Sequence, residues 1–230
     1  MGLAAMVAVA GITFTVLHIA SSNLARPRIV ARWGEQAFLG IHSLLSASLL
    51  TWLGIAYYLA DPGEPLWDVG DGLWIAASVL TAFASVLLIG SLVKNPAAIP
   101  PAELPDQPPP ALGVYCVTRH PMMWGIALWA ISHILTYPFW PQVFLSASIG
   151  TLALAGSAFQ DVKKRRALPV FWPVWQARTS FWPCWALLTG RARWGGWRPL
   201  PLLIAAVFWL AVTWVHIPLG NWPAGIWRWL

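Results

Sequence analysis

The sequence has little charge. Only 10% of its 230 residues are charged, with 14 Lys or Arg against 8 Asp or Glu. An average soluble domain devotes about a quarter of its residues to charge. With 58% of the residues hydrophobic and 18 tryptophans, an ordinary soluble fold is excluded, and we expect most of the chain to lie in lipid.

Cysteine is also scarce. The two cysteines, Cys116 and Cys184, fall in segments that the charge distribution below assigns to the cytoplasm, where thiols stay reduced, so no disulfide is expected. The sequence has no C-x-x-C-H motif for covalent haem attachment, and no Cys cluster or H-x-x-x-H set typical of zinc. Any metal chemistry must therefore use histidines from different helices.

Long hydrophobic runs dominate what is present. Runs close to the 20 residues of a transmembrane helix recur along the chain. The first of them has no basic region ahead of it, which favours a retained helix over a cleaved signal. The runs predict an all-α fold, a polytopic integral membrane helix bundle forming one domain over 1–230, with about six transmembrane helices near 3–20, 37–60, 73–93, 122–138, 143–159 and 200–217.

Basic residues concentrate in alternate connections between these runs. Thirteen of the 14 Lys and Arg fall in the first, third and fifth connections, whereas the second holds four acidic residues and no base. Because Lys and Arg mark cytoplasmic loops, both termini are predicted to be periplasmic. The net charge of +6 then needs no nucleic acid; the bilayer, including anionic lipid, is the expected partner.

Two connections are unusually long. Residues 95–110 contain seven prolines and predict an extended, Pro-rich cytoplasmic strap. Residues 168–197 interleave Trp, Pro and Arg, a composition suited to the headgroup layer. We expect the second segment to be an interfacial anchor, or alternatively a lid over a cofactor opening.

Histidines within the runs are candidate functional residues, because ionisable groups in lipid are costly. His133 shares a helical face with Trp129, an arrangement suited to packing a flat apolar group against an imidazole. His133 is either a ligand of haem iron or a buried hydrogen-bonding group. His216, similar in depth, is a rival partner for it.

The other histidines lie toward the predicted cytoplasmic side. His18 is followed by hydroxyl residues that could orient its ring, so it is a second candidate ligand, with a structural pair between His18 and His42 as the alternative. Arg119, His120 and Pro121 begin a helix. His120 is expected to organise this corner rather than bind metal, and Arg119 is suited to a carboxylate or phosphate.

Taken together, these residues resemble the NnrU family of bacterial membrane proteins, which is related to the plastid 15-cis-ζ-carotene isomerase. The resemblance spans almost the whole chain. It is carried, in order, by His18 with Ser21 and Ser22, the Gly34–Phe38 stretch, Arg119-His120-Pro121, Trp124-Gly125, Leu128-Trp129, His133, Asp161 with Lys163, Trp175, Thr179-Ser180, Pro183, Gly190-Arg191 and His216-Ile-Pro-Leu-Gly.

The resemblance implies a protein of the bacterial inner membrane and, from the isomerase branch, a haem b held by His18 and His133. That branch isomerises a central cis double bond of a carotenoid when its iron is reduced; the bacterial branch is associated with nitrite and nitric oxide metabolism. Arg119, Arg191 or Arg193 is expected to pair with the propionates if these face the cytoplasm. His18 and His133 differ in depth, so they share one haem only if its plane lies near that of the bilayer or if helix tilt closes the distance; otherwise His18 would pair with His42 and His133 with His216.

Two other functions remain open. Arg119-His120-Pro121 followed by a basic aromatic segment also resembles membrane S-adenosylmethionine-dependent methyltransferases of the isoprenylcysteine type. A non-catalytic accessory factor for a respiratory or denitrification complex is the third reading. The substrate, whether carotenoid, nitric oxide or another apolar small molecule, and the oligomeric state are not predicted.

Overall fold

The computed structural model describes residues 2–93, 95–97, 105 and 107–230. Within these residues the chain forms helices and no β-strand. A π-helical turn, Ser21–Ala25, follows the first helix, and a 3-10 turn, Gly225–Arg228, precedes the C-terminus. The helices are α1 (Leu3–Ala20), α2 (Arg26–Leu59), α3 (Asp71–Gly90), α4 (Val114–Val117), α5 (Pro121–Thr136), α6 (Trp140–Ala167), α7 (Phe171–Arg178), α8 (Trp185–Leu188) and α9 (Pro199–Gly220).

The chain reverses direction between α1 and the main part of α2. Gly34 has φ 81° and ψ 171°, a conformation essentially restricted to glycine, and it divides α2. Beyond it, α2 runs antiparallel to α1, because His18 meets Ser46 while Ser21 meets His42. The 56-residue helical stretch Ala4–Leu59 would be about 84 Å long if straight, and it is instead two helices packed side by side.

Four helical stretches in the described residues are long and apolar enough to cross a membrane: Ala4–Leu59, Asp71–Gly90, Trp140–Ala167 and Pro199–Gly220. The expectation of a helical membrane protein is confirmed at this level. Helix α5 is apolar but has only 16 residues. Pro121 opens it, and Pro138 disfavours a helical conformation for Tyr137, the residue just after the helix. Six crossings and outward termini remain predictions.

The long helices pack in the order α2, α1, α6, α5, α3 and α9. Two glycines allow close approach. A Cβ on Gly125 would lie 2.9 Å from the Ala84 carbonyl oxygen of α3, and one on Gly11 would overlap Ser148 of α6. Small residues at such crossings are typical of helix packing in lipid. At Gly125 the neighbour in close contact is helix α3.

A hydrophobic core forms where α4, α7 and α8 pack against the ends of α3 and α5. Trp172 and Trp175 are completely buried in it, while Trp182 and Trp194 are exposed. The Trp-rich segment 168–197 therefore contributes some tryptophans to this core and exposes others at the surface. Of the proline-rich strap 95–110, residues 98–104 and 106 lie outside the described residues, as does Lys94.

Candidate functional site

The four histidines of the long helices form two pairs. His18 of α1 lies against His42 of α2 with ring centres 4.6 Å apart, and His133 of α5 lies against His216 of α9 with ring centres 6.1 Å apart. His18 and His133, which the resemblance combines, line different cavities. The arrangement brings together the residues of the alternative pairing, and the binding of a metal by either pair stays a prediction.

Two serines orient the His18–His42 pair. The Ser46 hydroxyl lies 3.0 Å from His18 Nδ1 and donates to the His42 carbonyl, while the Ser21 hydroxyl lies 2.8 Å from His42 Nδ1 and donates to the His18 carbonyl. Each hydroxyl proton is thus used on a carbonyl, so each serine accepts from a ring. This network assigns the protons to Nδ1 and the lone pairs to Nε2.

Backbone carbonyls orient the His133–His216 pair. His133 Nδ1 donates to the Trp129 carbonyl at 2.9 Å, and His216 Nδ1 donates to the Val212 carbonyl at 2.7 Å. Because a carbonyl can only accept, both rings carry their proton on Nδ1. Each ring therefore has its lone pair on Nε2, the state in which a histidine binds a metal.

The two ring separations suit different coordination. If a metal bonds each Nε2 at about 2 Å, opposed imidazoles have centres about 6 Å apart and neighbouring ones about 4.5–5 Å. The 6.1 Å between the His133 and His216 ring centres is large enough for a metal between the two rings, whereas the 4.6 Å between those of His18 and His42 is too short for opposed ligands. Imidazoles are among the protein ligands of haem iron.

Cavity one, about 390 Å³, lies beside the His133–His216 pair. It runs between α3, α5 and α9, and aromatic side chains form much of its wall. A cation is close to this wall, because Arg228 stacks over Trp74 at 4.6 Å and also pairs with Asp71 at 3.4 Å. The aromatic members of the wall are Tyr57, Trp74, Tyr137 and Trp222.

Cavity two, about 670 Å³, lies between α1, α5 and α6, with His18 on its wall. Its apolar part is lined by residues such as Phe14 and Ile149, and its other part by Arg26, Lys163 and Lys164. We call the end of the bundle that carries these three cations the basic end.

A family model described as NnrU protein matches residues 6–223, nearly the whole chain, and this range includes all five histidines. The chain belongs to the NnrU family. The resemblance seen in the sequence is thereby confirmed at the level of the family. No curated protein and no solved structure matches the chain.

In this NnrU protein Asp161 is the acidic partner of Arg119 and His120. Asp161 accepts hydrogen bonds from Arg119 Nε at 2.8 Å, from His120 Nε2 at 2.9 Å and from Trp172 Nε1 at 3.3 Å. The His120 side chain is only 1% exposed. Arg119, predicted as a propionate partner, is committed to Asp161 and lines neither cavity one nor cavity two. His120 is bonded to Asp161 in this corner, and its organising role stays a prediction.

Sequence reasoning assigned Asp161 no role in the site, although one signal was available: it is the only acidic residue after Asp106. Its partners lie about forty residues earlier and eleven later, so only folding brings them together. Arg191 and Arg193, the other predicted propionate partners, follow α8 and are exposed. Arg191 bonds Thr189 and the Thr179 carbonyl, and neither arginine lines these two cavities.

The donor set fits a haem better than a bare metal ion. The described residues contain no group of three or more His, Cys, Asp or Glu placed to hold a metal. Haem supplies four equatorial nitrogens itself and needs only axial ligands. The His133–His216 pair provides two neutral imidazoles with Nε2 lone pairs beside aromatic walls, so the residues present fit this group.

Proposed function

We propose that this NnrU protein is an integral membrane protein that binds haem b, which His133 and His216 would hold. The observation that supports the proposal is their 6.1 Å ring separation, with both Nδ1 protons held by carbonyls. Haem b would supply a one-electron redox centre whose potential depends on the two imidazoles and their burial.

The resemblance implies a different pair, His18 with His133. Two observations favour His216 over His18 as the partner of His133. His18 lines cavity two, and its ring is braced by Ser46 against α2. His216 lies 6.1 Å from His133 between ring centres and lines the same cavity. His133 is common to both ligand sets, so it is the central residue of the proposal.

The proposed activity is redox or isomerase chemistry, with nitric oxide or a carotenoid as the candidate substrate. Of the two histidines that would hold the haem, His216 would be the more mobile, because it is exposed and Pro218 lies two residues beyond it within α9. His133, half-buried and next to Trp129, would be held more firmly.

The other candidate functions have weaker support. A methyltransferase would use Arg119 and His120 to contact its cofactor, but both donate to Asp161 and His120 is buried. An accessory factor requires only that the histidines pack helices. The Nδ1 atom of each of the four rings already has a hydrogen-bond partner, which leaves Nε2 as the atom that could hold a metal.

The test is spectroscopy on the purified protein and four single variants. The wild type should show a Soret band and, after reduction with dithionite, the sharp α and β bands of low-spin haem. His133→Ala and His216→Ala should remove the low-spin spectrum. His18→Ala and His42→Ala are the matched controls and should retain it.

The outcomes separate the ligand sets. Loss of the low-spin spectrum in His18→Ala, together with its retention in His216→Ala, would replace our pair by the one that the resemblance implies. A wild-type protein that stays colourless after haem is added would refute haem binding altogether and favour the accessory role.

A further inference from the structure

Cavity two has a long apolar part and one polar end. Ile149 and Lys163, both on its α6 wall, are 14 residues apart, which corresponds to about 21 Å of helix. The apolar part is lined by side chains such as Phe14, Met123 and Ile126. Its volume of about 670 Å³ lies within the range of about 300–1,000 Å³ typical of small-molecule sites. The cavity therefore has room for one elongated apolar molecule.

The polar end is built on the turn that follows α1. The π-helical turn Ser21–Ala25 carries Ser22 and Asn23, which both line the cavity, and such turns occur frequently at functional sites. Lys163 Nζ donates to Ser22 Oγ at 3.2 Å and lies within electrostatic range of the His18 ring, one helical turn before Ser22. His18 and Lys163 thus border the same end of the cavity.

Ser22 itself is fully used by the protein. Its hydroxyl donates to the Ile19 carbonyl at 3.3 Å and accepts from Asn23 Nδ2 and Lys163 Nζ, each at 3.2 Å. A hydroxyl has one proton and two lone pairs, so none is left for a ligand. Asn23 also spends its amide protons on its neighbours and offers no donor.

Lys163 and His18 keep hydrogen-bonding capacity of opposite kinds. The Lys163 ammonium has three N–H donors, and Ser22 takes one of them. The His18 ring donates from Nδ1 to Ser46, so its Nε2 can only accept. A ligand head at this end therefore meets a donor from α6 and an acceptor from α1.

We infer that cavity two binds an elongated apolar molecule through a hydroxyl head held between Lys163 and His18. The hydroxyl oxygen accepts from Lys163 Nζ, and its proton goes to His18 Nε2, so both groups are satisfied at once. A carboxylate, ether or ketone has no proton to donate and would leave His18 Nε2 unpaired. Two sources carry this chemistry: an alcohol at the end of an alkyl or isoprenoid chain, and a ring hydroxyl such as that of a phenol or hydroquinone.

Gly156 offers a way to close the cavity without straining the fold. It lines the cavity, and a Cβ built on it meets no atom within 4 Å. Gly156→Leu therefore extends into the space that the apolar body would occupy, and leucine favours helix more than glycine does. Gly54→Leu is the matched control, because Gly54 is a helical glycine with equally open space that does not line this cavity.

The experiment is native mass spectrometry of the delipidated full chain in lauryldimethylamine oxide, a detergent without a hydroxyl group. The probes are geranylgeraniol and 4-dodecylphenol, each with its methyl ether, and oleate. At least one hydroxyl probe should bind one molecule per chain, and the tighter of the two identifies the source of the hydroxyl. Its methyl ether should bind at least about fivefold more weakly, because the ether leaves a buried acceptor unpaired.

The variants assign each contact separately. His18→Phe should remove the preference for the hydroxyl over the ether, whereas His42→Phe, the control at a ring that does not line the cavity, should retain it. Lys163→Met should weaken both probes at least about tenfold, because both oxygens accept from the ammonium. Gly156→Leu should abolish both adducts, and Gly54→Leu should leave them unchanged.

Four outcomes would overturn the inference. Equal binding of a hydroxyl probe and its ether, or a full preference in His18→Phe, would show that His18 does not take the proton. An adduct unchanged in Gly156→Leu would place the ligand elsewhere. Oleate that binds more tightly than both hydroxyl probes would identify an anion as the occupant.

The result is separable from haem binding, since the probes need no haem. The Soret band of Gly156→Leu should equal that of the wild type, because His133 and His216 line cavity one. If Gly156→Leu loses its haem while His216→Ala keeps it, cavity two is the haem site. That result would overturn this inference together with the choice of His216.

Discussion

Replacing Asp161 by Asn tests the buried corner at the basic end. The Asp161 side chain is 9% exposed and that of Arg119 is 12% exposed, so the substitution keeps the shape but leaves a guanidinium desolvated without its counter-ion. Removing one partner of a buried ion pair costs about 3–5 kcal/mol. For a chain of this length that corresponds to a fall of roughly 10 °C in the unfolding midpoint.

The assay is thermal unfolding in detergent, followed by tryptophan fluorescence. The control is Glu35→Gln, because the Arg26–Glu35 pair is also bidentate but its side chains are 46% and 44% exposed. An exposed pair contributes about 0–1 kcal/mol, so this variant should change the midpoint by no more than about 4 °C. A midpoint for Asp161→Asn as close to wild type as that of Glu35→Gln would refute the assignment of a buried, structurally required corner.

The remaining predictions concern glycine positions and thiols. Gly125→Ala should lower the unfolding midpoint because its Cβ would meet a carbonyl of α3, whereas Gly54→Ala should not lower it; equal midpoints would argue against the close crossing. Gly34→Ala should destabilise the reversal between α1 and α2, by about 1–3 kcal/mol, since φ 81° with ψ 171° strains any residue with a Cβ; a neutral effect in the same assay would contradict it. Burial raises the pKa of the Cys116 thiol, so a maleimide should label Cys184 in the folded protein and Cys116 only after unfolding, and prompt labelling of both would disprove the packing of α4.

Much of the fold could be predicted from the sequence. The predicted runs 3–20 and 200–217 correspond to α1 (Leu3–Ala20) and α9 (Pro199–Gly220), because the length and hydropathy of a span are local properties. A connection between the runs 3–20 and 37–60 was predicted, but the conformation of Gly34 within it was not. A glycine gives no indication by itself of the φ it will adopt.

The site was only partly predictable. His133 and His18 were recognised as candidates because an imidazole in an apolar run is costly, but periodicity could not choose their partners. That choice depends on helix order and crossing depth. The serines that orient His18 and His42, for instance, come from the π-helical turn after α1 and from the interior of α2.

The sequence by itself determined the composition suited to lipid, the helical spans, the positions of the histidines and the membership of the NnrU family, all of which depend on which residues occur and in what order. Only the tertiary structure decided that His216 lies beside His133, that Arg119 is committed to Asp161, and that Lys163 of α6 reaches Ser22 at the wall of cavity two. Partners in these contacts lie between 42 and 141 residues apart. Helix packing, which joins distant segments through their side-chain shapes, brings them together.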